Sequence, residues 1–529
     1  MIASRSEAQI LGPQTPGTPG ALDGELRAGR PATSSSTSAG APPLRGAETD
    51  EETTRPSKFG LKRMPNTATR RTLNSGQTRN SGFAGASPSG SGINQPQNGL
   101  RRPQDTTGAR FGNAADAEAG SPPLGRPTRQ HSVAPGLPPV AEPRRAAPRR
   151  EDDPYAPLGI RVGTMILRPA IEVDGGYDTN AARSGTNRKG SAFHRTEVEL
   201  NATSDWSRHQ LDLGLRGAYT GYTALKNANR PDGDARIALR LDATRDLTLD
   251  SLLTARVDTE NPSSVNLPGG VSKRVPFVTT GAALGATQRF GRLSIALRGT
   301  LDRVDYADAE AGGVTVSQRA RNLTTYGMRL RTGYEITPGI SPFAEAGVDR
   351  RVHDLGVDTN GYRRDSTGGT LRVGSTFELA RNLTGEASAG YIFRAYEDAR
   401  LAHLRSPAVD AALTWSISPL TTLAVRAQTE ITETTIANSA GARVMRGTAT
   451  LTHAFLRNFT ATATLGYSRA DYDGVNRLEN TLTAGARLEY KFNRALALRG
   501  SYAFERLNVN SAGESYNAHT VMLGVRYTP

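Results

Sequence analysis

Hydrophobic and polar side chains alternate with a period of two along much of the chain beyond residue 160. Odd positions from 383 to 393 carry small or apolar side chains, whereas Glu386 and Ser388 fall between them. The alternation recurs from Leu423 and from Leu496. Because successive side chains of an extended strand point to opposite faces, this period predicts β-strands with one apolar and one polar face.

Short polar breaks separate the two strands of each predicted pair, namely Arg381-Asn382, Ser418-Pro419, Arg457-Asn458 and Asn493-Arg494. Breaks of this length are typical of hairpin turns. Longer polar connections, such as 436–442 and 509–515, join one pair to the next. Short turns at one end and long loops at the other predict an up-and-down antiparallel meander.

The length of the alternating runs favours a membrane barrel over a soluble sandwich. Sandwich strands average about 5 to 6 residues, whereas these runs extend over roughly 10 to 15 residues, enough to cross a bilayer at a tilt. Aromatic residues recur near both ends of the apolar stripes, where interfacial girdles lie in such barrels. A propeller blade has a similar repeat, but it holds four short strands rather than two long ones. We therefore predict an all-β fold, a transmembrane up-and-down antiparallel β-barrel of about 18 strands between Met165 and Tyr527.

Composition divides the chain near residue 157. Of the 31 prolines, 19 lie within residues 1–150, together with 20 Lys and Arg against 11 Asp and Glu. We predict that residues 1–157 form a disordered, basic, Pro/Ser/Gly-rich periplasmic segment and that residues 158–529 form the barrel. Basic pairs such as Arg70-Arg71 lack interleaved aromatic residues, so we expect a solvated linker. The alternative is a tether to nucleic acid, to the cell wall or to an anionic polysaccharide, or a contact with a periplasmic partner, but no nucleic-acid-binding module is recognisable and we expect no nucleic-acid partner.

Two further features of the sequence concern membrane-spanning segments and the secretory signal. No run of about 18 apolar residues occurs, which excludes helical membrane spans and leaves a barrel as the way to cross a bilayer. Residues 1–10 lack the apolar core of a secretory signal, which an outer-membrane protein needs. We expect the true start to lie upstream of Met1, or a signal to have been trimmed.

Three segments resemble the bacterial outer-membrane family called putative β-barrel porin 2. They are the opening strand at 167–180, which ends Tyr-Asp-Thr-Asn, the Arg-Asn-Leu-Thr and Arg-Asn-Phe-Thr turns, and the last strand at 521–527. The resemblance covers about residues 160–529. It implies a β-barrel in the bacterial outer membrane, in contact with outer-membrane lipid, and some members of the family look like partners in polysaccharide export.

Residues for catalysis are not evident. The chain has no cysteine, and it has no Walker loop, no His-Glu-x-x-His and no Gly-x-Ser-x-Gly motif. The seven histidines are scattered without metal-binding spacing. We therefore expect no enzyme activity, no catalytic or metal site and no cofactor.

The polar face of the predicted strands is rich in charge, which predicts a lining of a wet lumen because unpaired charges are costly away from water. The candidate pore-lining residues are Arg216, Arg240, Arg256, Arg298, Arg329, Arg331, Arg372, Arg426, Arg446, Arg487, Arg499, Arg526, Glu378, Glu430, Glu489 and Glu505. Two acids, Glu378 and Glu489, are expected to be able to pair with Arg372 and Arg487.

Three functions fit this pattern. The first is a porin-like channel that passes small hydrophilic solutes. Because many arginines are predicted to point inwards, these solutes are expected to be anionic. The second is the outer-membrane exit of a polysaccharide export pathway, and the third is a non-conducting barrel anchor with a plugged lumen. We expect the first.

Overall fold

The computed structural model of the chain describes residues 154–379 and 382–529. Almost all of the segment predicted to be disordered, residues 1–157, lies outside the described residues, as does the start of the predicted Arg381-Asn382 turn. Within the described part, no helix combines the length and the apolar character needed to cross a membrane.

Long β-strands dominate the described residues, and three short strands accompany them. The strands are β1 (Ile160–Val162), β2 (Met165–Asp178), β3 (Ser191–Ser204), β4 (Gln210–Tyr222), β5 (Arg230–Asp242), β6 (Leu247–Glu260), β7 (Val275–Phe290), β8 (Leu293–Tyr306), β9 (Ala309–Ala311), β10 (Val314–Val316), β11 (Leu323–Tyr334), β12 (Ile340–His353), β13 (Ser366–Leu379), β14 (Leu383–Tyr396), β15 (Leu404–Ser418), β16 (Thr421–Thr432), β17 (Ala442–Leu456), β18 (Phe459–Tyr472), β19 (Arg477–Lys491), β20 (Leu496–Val509) and β21 (Tyr516–Tyr527). Two 3-10 turns lie at Lys226–Ala228 and Arg319–Arg321.

Eighteen long strands close into one antiparallel barrel. Each pairs with the next in the chain, β8 pairs with β11, and β2 closes the barrel on β21 from Ile171↔Tyr527 to Asp178↔Thr520. The short strands β9 and β10 form a separate hairpin in the loop between β8 and β11. The prediction of an 18-stranded up-and-down barrel is confirmed, and β2 and β21 place the first and last barrel strands side by side.

Several strands extend further than their apolar pattern indicates. The alternation of apolar and polar residues in the sequence predicts one strand from Thr370, whereas β13 starts at Ser366 and pairs with both neighbours from there. Likewise β15 starts at Leu404 rather than at Ala408. Backbone pairing decides these ends, since the added residues lie near the long loops, where the alternation of apolar and polar side chains is lost.

The two faces of the wall have opposite character. Large apolar side chains such as Val173, Leu371 and Leu465 are exposed on one face, while Glu172 and Arg372 lie on the other. Exposed aromatics form two belts: Phe290, Tyr334, Trp415, Phe455, Tyr490 and Tyr527 near the short turns, and Tyr177, Tyr219, Tyr326, Tyr391, Phe393 and Tyr467 towards the long loops. An apolar band between two aromatic belts is the outer surface of a membrane barrel.

Candidate functional site: the barrel lumen and its mouth

The charged face of the wall points into the lumen. Arg351 on β12 shows this, since its guanidinium donates to the Ile431 carbonyl oxygen on β16, four strands away, at 3.1 Å. Strand alternation carries the same orientation to its neighbours. All sixteen charged residues predicted to line the pore lie on this inner face, opposite the exposed apolar side chains.

Most of the predicted arginines are held in ion pairs along the wall. Ten of these pairs among the described residues are Arg216–Asp234, Arg240–Asp242, Arg256–Asp258, Arg298–Asp250, Arg329–Glu345, Arg331–Glu386, Arg372–Asp410, Arg446–Glu430, Arg499–Glu489 and Arg526–Glu199. Arg331 reaches Glu386 at 2.8 Å, from β11 to β14. Long side chains therefore lie along the wall and neutralise one another there.

Shared carboxylates join single pairs into networks. Arg195 and Arg216 both contact Asp232, each at 2.8 Å, and Arg195 also contacts Glu197 at 2.8 Å. Charge-assisted hydrogen bonds of this kind fix side-chain positions more firmly than single surface pairs do. Arg195 and Asp232 were not among the predicted site residues, although alternation on β3 and β5 would have placed them on the inner face.

Four of the predicted residues are placed differently from the rest. Arg426 and Glu378 are exposed, with Glu378 at the short-turn end of β13. Glu505 is buried near the long loops. Arg487 is 9% exposed, and its Nε and Nη1 have no hydrogen-bond partner among the described residues.

The two pairings expected for the acids are not seen in the described wall. Arg372 instead lies 3.5 Å from Asp410, and Glu489 lies 2.5 Å from Arg499.

A long loop reaches across the mouth of the barrel. Residues 261–274, here called the crossing loop, connect β6 to β7, and residues 433–441 connect β16 to β17. Eight strands separate the two loops one way round the barrel and ten the other way. Even so, the Thr434 hydroxyl donates to Asn266 Oδ1 at 2.8 Å, and the Thr435 backbone N–H donates to the same oxygen at 3.2 Å. The crossing loop therefore spans the opening.

Apolar contacts support this crossing. Val265 of the crossing loop packs against a buried cluster formed by Val444, Ala470 and Tyr472 on β17 and β18. In the second half of the loop, Leu267 and Val271 pack with Val275 and Ala309. Buried apolar surface at both sides of the mouth stabilises the loop in its crossed position.

Ion pairs anchor the 433–441 loop that receives the crossing loop. Glu433 pairs with Arg351 at 2.5 Å, and Arg364 donates to the backbone oxygens of Ser439 and Ile436 at 2.8 and 2.9 Å. Burial alone would raise the pKa of Glu433, but the charges of Arg351, Arg394 and His353 outweigh it and hold that pKa below its ordinary value. The 433–441 loop is thus fastened to β12 and to the 354–365 loop.

A second anchored loop, residues 179–190, lies on the other side of the β2–β21 closure. Arg183 contacts Asp178 at 2.8 Å and Glu505 at 2.9 Å, and all three side chains are nearly completely buried. Its φ of 54° is uncommon for a residue other than glycine. The two ion pairs hold this backbone conformation, which explains why Glu505 belongs to the mouth rather than to the middle of the wall.

The described part of the chain holds no group of three His, Asp or Glu side chains placed to bind a metal ion. The site is therefore defined by its geometry: a closed barrel of long strands, apolar outside, charged inside, with loops folded over one opening.

These features define an outer-membrane β-barrel protein of the porin type. The sequence model of the family described as putative beta-barrel porin 2 matches residues 153–528, and the chain belongs to this family. The resemblance noted from the sequence is confirmed.

Solved structures with a similar fold include the "Copper transporter OprC", at 11% identity and a TM-score of 0.41 over 70% of this chain and 82% of that one. Another is Pseudomonas aeruginosa OpdL, at 11% identity and a TM-score of 0.34 over 69% and 98%. A third is the siderophore receptor PirA from Acinetobacter baumannii, at 9% identity and a TM-score of 0.36 over 69% and 80%. A comparison with curated protein sequences finds no match.

Proposed function

We propose that the protein is an outer-membrane channel for small hydrophilic solutes, and that it acts in transport rather than catalysis. In bacterial barrels the short turns face the periplasm and the long loops face outwards, so residues 1–157 would enter from the periplasmic side. The charged inner wall carries this proposal. Its ion pairs lie within one strand or join strands up to three positions apart, so they follow the wall and keep it hydrophilic.

The crossing loop supports small solutes over wide polymers. A polysaccharide chain leaving through this mouth would require residues 261–274 to give up their contacts with Thr434 and Thr435. Export of polysaccharide and a non-conducting anchor remain the alternatives that the sequence raised. None of the contacts within residues 154–379 and 382–529 favours either of them over a channel.

Pairing of the wall arginines changes the expected charge selectivity. An arginine beside a carboxylate contributes little net field, so we propose that the wall itself is close to neutral. A preference for anions would then be set at the mouth, where the loops 179–190, 223–229 and 261–274 contain Lys or Arg but no Asp or Glu.

Conductance in planar bilayers tests the proposal. The full-length protein should form water-filled channels, and liposomes that contain it should swell in neutral sugars up to a sharp size limit. Absence of both conductance and swelling from correctly folded, heat-modifiable protein would contradict a channel and favour the anchor. Swelling without a size limit would instead contradict a mouth narrowed by the crossing loop.

A further inference from the structure

Three consecutive loops at the mouth carry only positive charge. The loops 179–190, 223–229 and 261–274 contain no Asp or Glu, whereas each of the other six long loops contains at least one. The cations of this sector are Arg183, Arg188, Lys189, Lys226, Arg230, Lys273 and Arg274. Lysine is rare elsewhere in the barrel, where Lys491 is the remaining one among the described residues. One third of the mouth is therefore cationic.

Exposure of these cations falls from the rim inwards. Arg188, Lys189, Lys226 and Lys273 are exposed, Arg230 at the start of β5 is half-buried, and Arg274 is only 5% exposed. A cleft that is lined by charges of one sign focuses the electric field and raises the local concentration of ions of the opposite charge. The exposed cations of this sector should therefore attract anions towards Arg230 and Arg274.

Two buried carboxylates of this sector, Asp178 and Glu505, are already engaged. Arg183 holds Asp178 at 2.8 Å and Glu505 at 2.9 Å. The Tyr222 hydroxyl donates to Asp178 at 3.3 Å, and the Tyr516 hydroxyl donates to Glu505 at 2.8 Å. These two acids therefore have donors of their own without Arg274.

Arg274 itself is a buried cation that pairs with no acid in the described part of the chain. Its backbone N–H donates to the Asn227 carbonyl oxygen at 3.4 Å, which places it against the loop that leads into Arg230. Within residues 154–379 and 382–529, its Nε has no hydrogen-bond partner, and neither Arg274 nor Arg230 forms an ion pair. A guanidinium cannot shed its proton to relieve such burial. Burial and the charge of Arg230 lower the pKa of Arg274 to about 10, so it is still cationic at neutral pH.

We propose that Arg230 and Arg274 form an anion-binding site at the mouth of the barrel, which takes a small soluble oxyanion or the phosphate or carboxylate group of a solute. Two guanidinium groups on one oxyanion can each donate two parallel hydrogen bonds, a geometry that a spherical chloride ion cannot match. The exposed lysines would steer the anion but not select it. The site indicates that the solutes of the proposed channel are anions. Its role in transport rests on the proposed channel function, whereas binding of the anion does not.

Binding of inorganic phosphate to purified full-length protein tests the site directly. In neutral detergent with chloride as the background anion, calorimetric titration should show saturable binding of phosphate. Arg274→Gln and Arg230→Gln should each weaken it by about tenfold or more, since each removes charge-assisted hydrogen bonds. Heat modifiability verifies the fold, and the half-buried Arg230→Gln carries the test if Arg274→Gln does not assemble.

Two controls separate this site from general surface charge. Arg319→Gln removes an exposed mouth arginine from the acid-containing 307–322 loop and should leave phosphate affinity unchanged. The triple variant Lys189→Gln/Lys226→Gln/Lys273→Gln should retain saturable binding but flatten its dependence on salt. Phosphate binding that is absent from the wild type, or equally weakened by Arg319→Gln, would overturn the proposal.

The same preparations separate this site from the channel itself. Conducting protein that does not bind phosphate overturns the anion site alone. Protein that binds phosphate without conducting overturns the channel and leaves the site in place. In a conducting wild type, added phosphate should reduce the chloride current, and the reduction should be lost in Arg230→Gln.

Discussion

Asn266 and Thr434 lie 168 positions apart in the chain and on opposite sides of the barrel mouth, yet the Thr434 hydroxyl donates a 2.8 Å hydrogen bond to the Asn266 side chain. The same oxygen accepts from the Thr435 backbone at 3.2 Å. A contact of this kind sets how much of the opening is covered, because it ties the middle of the crossing loop to the loop on the far wall.

Removal of this contact should open the mouth. Asn266→Ala deletes the acceptor of both hydrogen bonds, at a cost of about 1 kcal/mol each, which corresponds to roughly a fivefold change in loop population for each bond. Single-channel recordings should show higher conductance or more frequent open states. Asn187→Ala, in an exposed part of the 179–190 loop, serves as the matched control and should behave as the wild type. Equal conductance in all three proteins would mean that the crossing loop does not limit flow.

A low pH should weaken the attachment of the 433–441 loop, because Glu433 becomes protonated. Its pKa is lowered in the fold, so its stabilising contribution is complete above the ordinary glutamate value of about 4.3 and is lost as the pH falls through the lowered folded value. Glu433→Gln should reduce the free energy of unfolding by about 3 kcal/mol at neutral pH, because Arg351 loses its buried partner. Denaturant midpoints measured from neutral pH downwards should converge for wild type and variant. A constant gap at every pH would exclude this ion pair as the cause.

The alternation of apolar and polar side chains made it possible to predict the barrel and the orientation of its charged side chains towards the lumen. A strand has a fixed period of two, so Arg372 between exposed Leu371 and Val373 must point inwards whatever its partners are. The same reasoning applies to Arg195 and Asp232, which the prediction left out although alternation on β3 and β5 places them on the inner face. Strand ends such as Ser366 were missed, since pairing with both neighbours extends β13 where the apolar pattern has stopped.

Partner choice and loop position could not be predicted in this way. Arg331 pairs with Glu386 three strands away, which depends on register and on the curvature of the closed wall. The crossing loop has no periodic pattern, and its contact with Thr434 depends on where two distant hairpins end. Expected pairs such as Arg372 with Glu378 failed for a related reason: both point inwards on β13, but six residues of extended strand, roughly 20 Å, separate them.

Adjacent residues on β18 offer a test of facing. Leu465 is exposed on the outer wall, whereas Thr464 lies on the inner wall in a sector lined by Thr450 and Gly485. Leu465→Arg should cost about 2 to 4 kcal/mol near the bilayer midplane, while Thr464→Arg should be tolerated because it meets water. Folding into lipid vesicles, followed by heat modifiability on gels, measures the difference. Comparable loss of folded barrel in both variants would contradict the orientation of the strand.

Arg499 should control the charge balance of the wall, because it contacts Glu172 and Glu489, each at 2.5 Å. Arg499→Gln leaves two inward carboxylates without this partner, so the reversal potential under a salt gradient should move towards cation preference. The same change should reduce stability by about 3 to 5 kcal/mol.

Two comparisons decide whether pairing, rather than arginine number, sets this balance. The double variant Arg499→Gln/Glu489→Gln removes one charge of each sign and should recover most of the wild-type reversal potential and stability. Arg426→Gln removes an arginine that is exposed in the lumen, and its effect on stability should stay below about 1 kcal/mol. The double variant could instead prefer cations as strongly as Arg499→Gln does. In that case the Arg499–Glu489 pair would not set the charge balance of the inner wall, and each paired arginine would act on permeating ions separately.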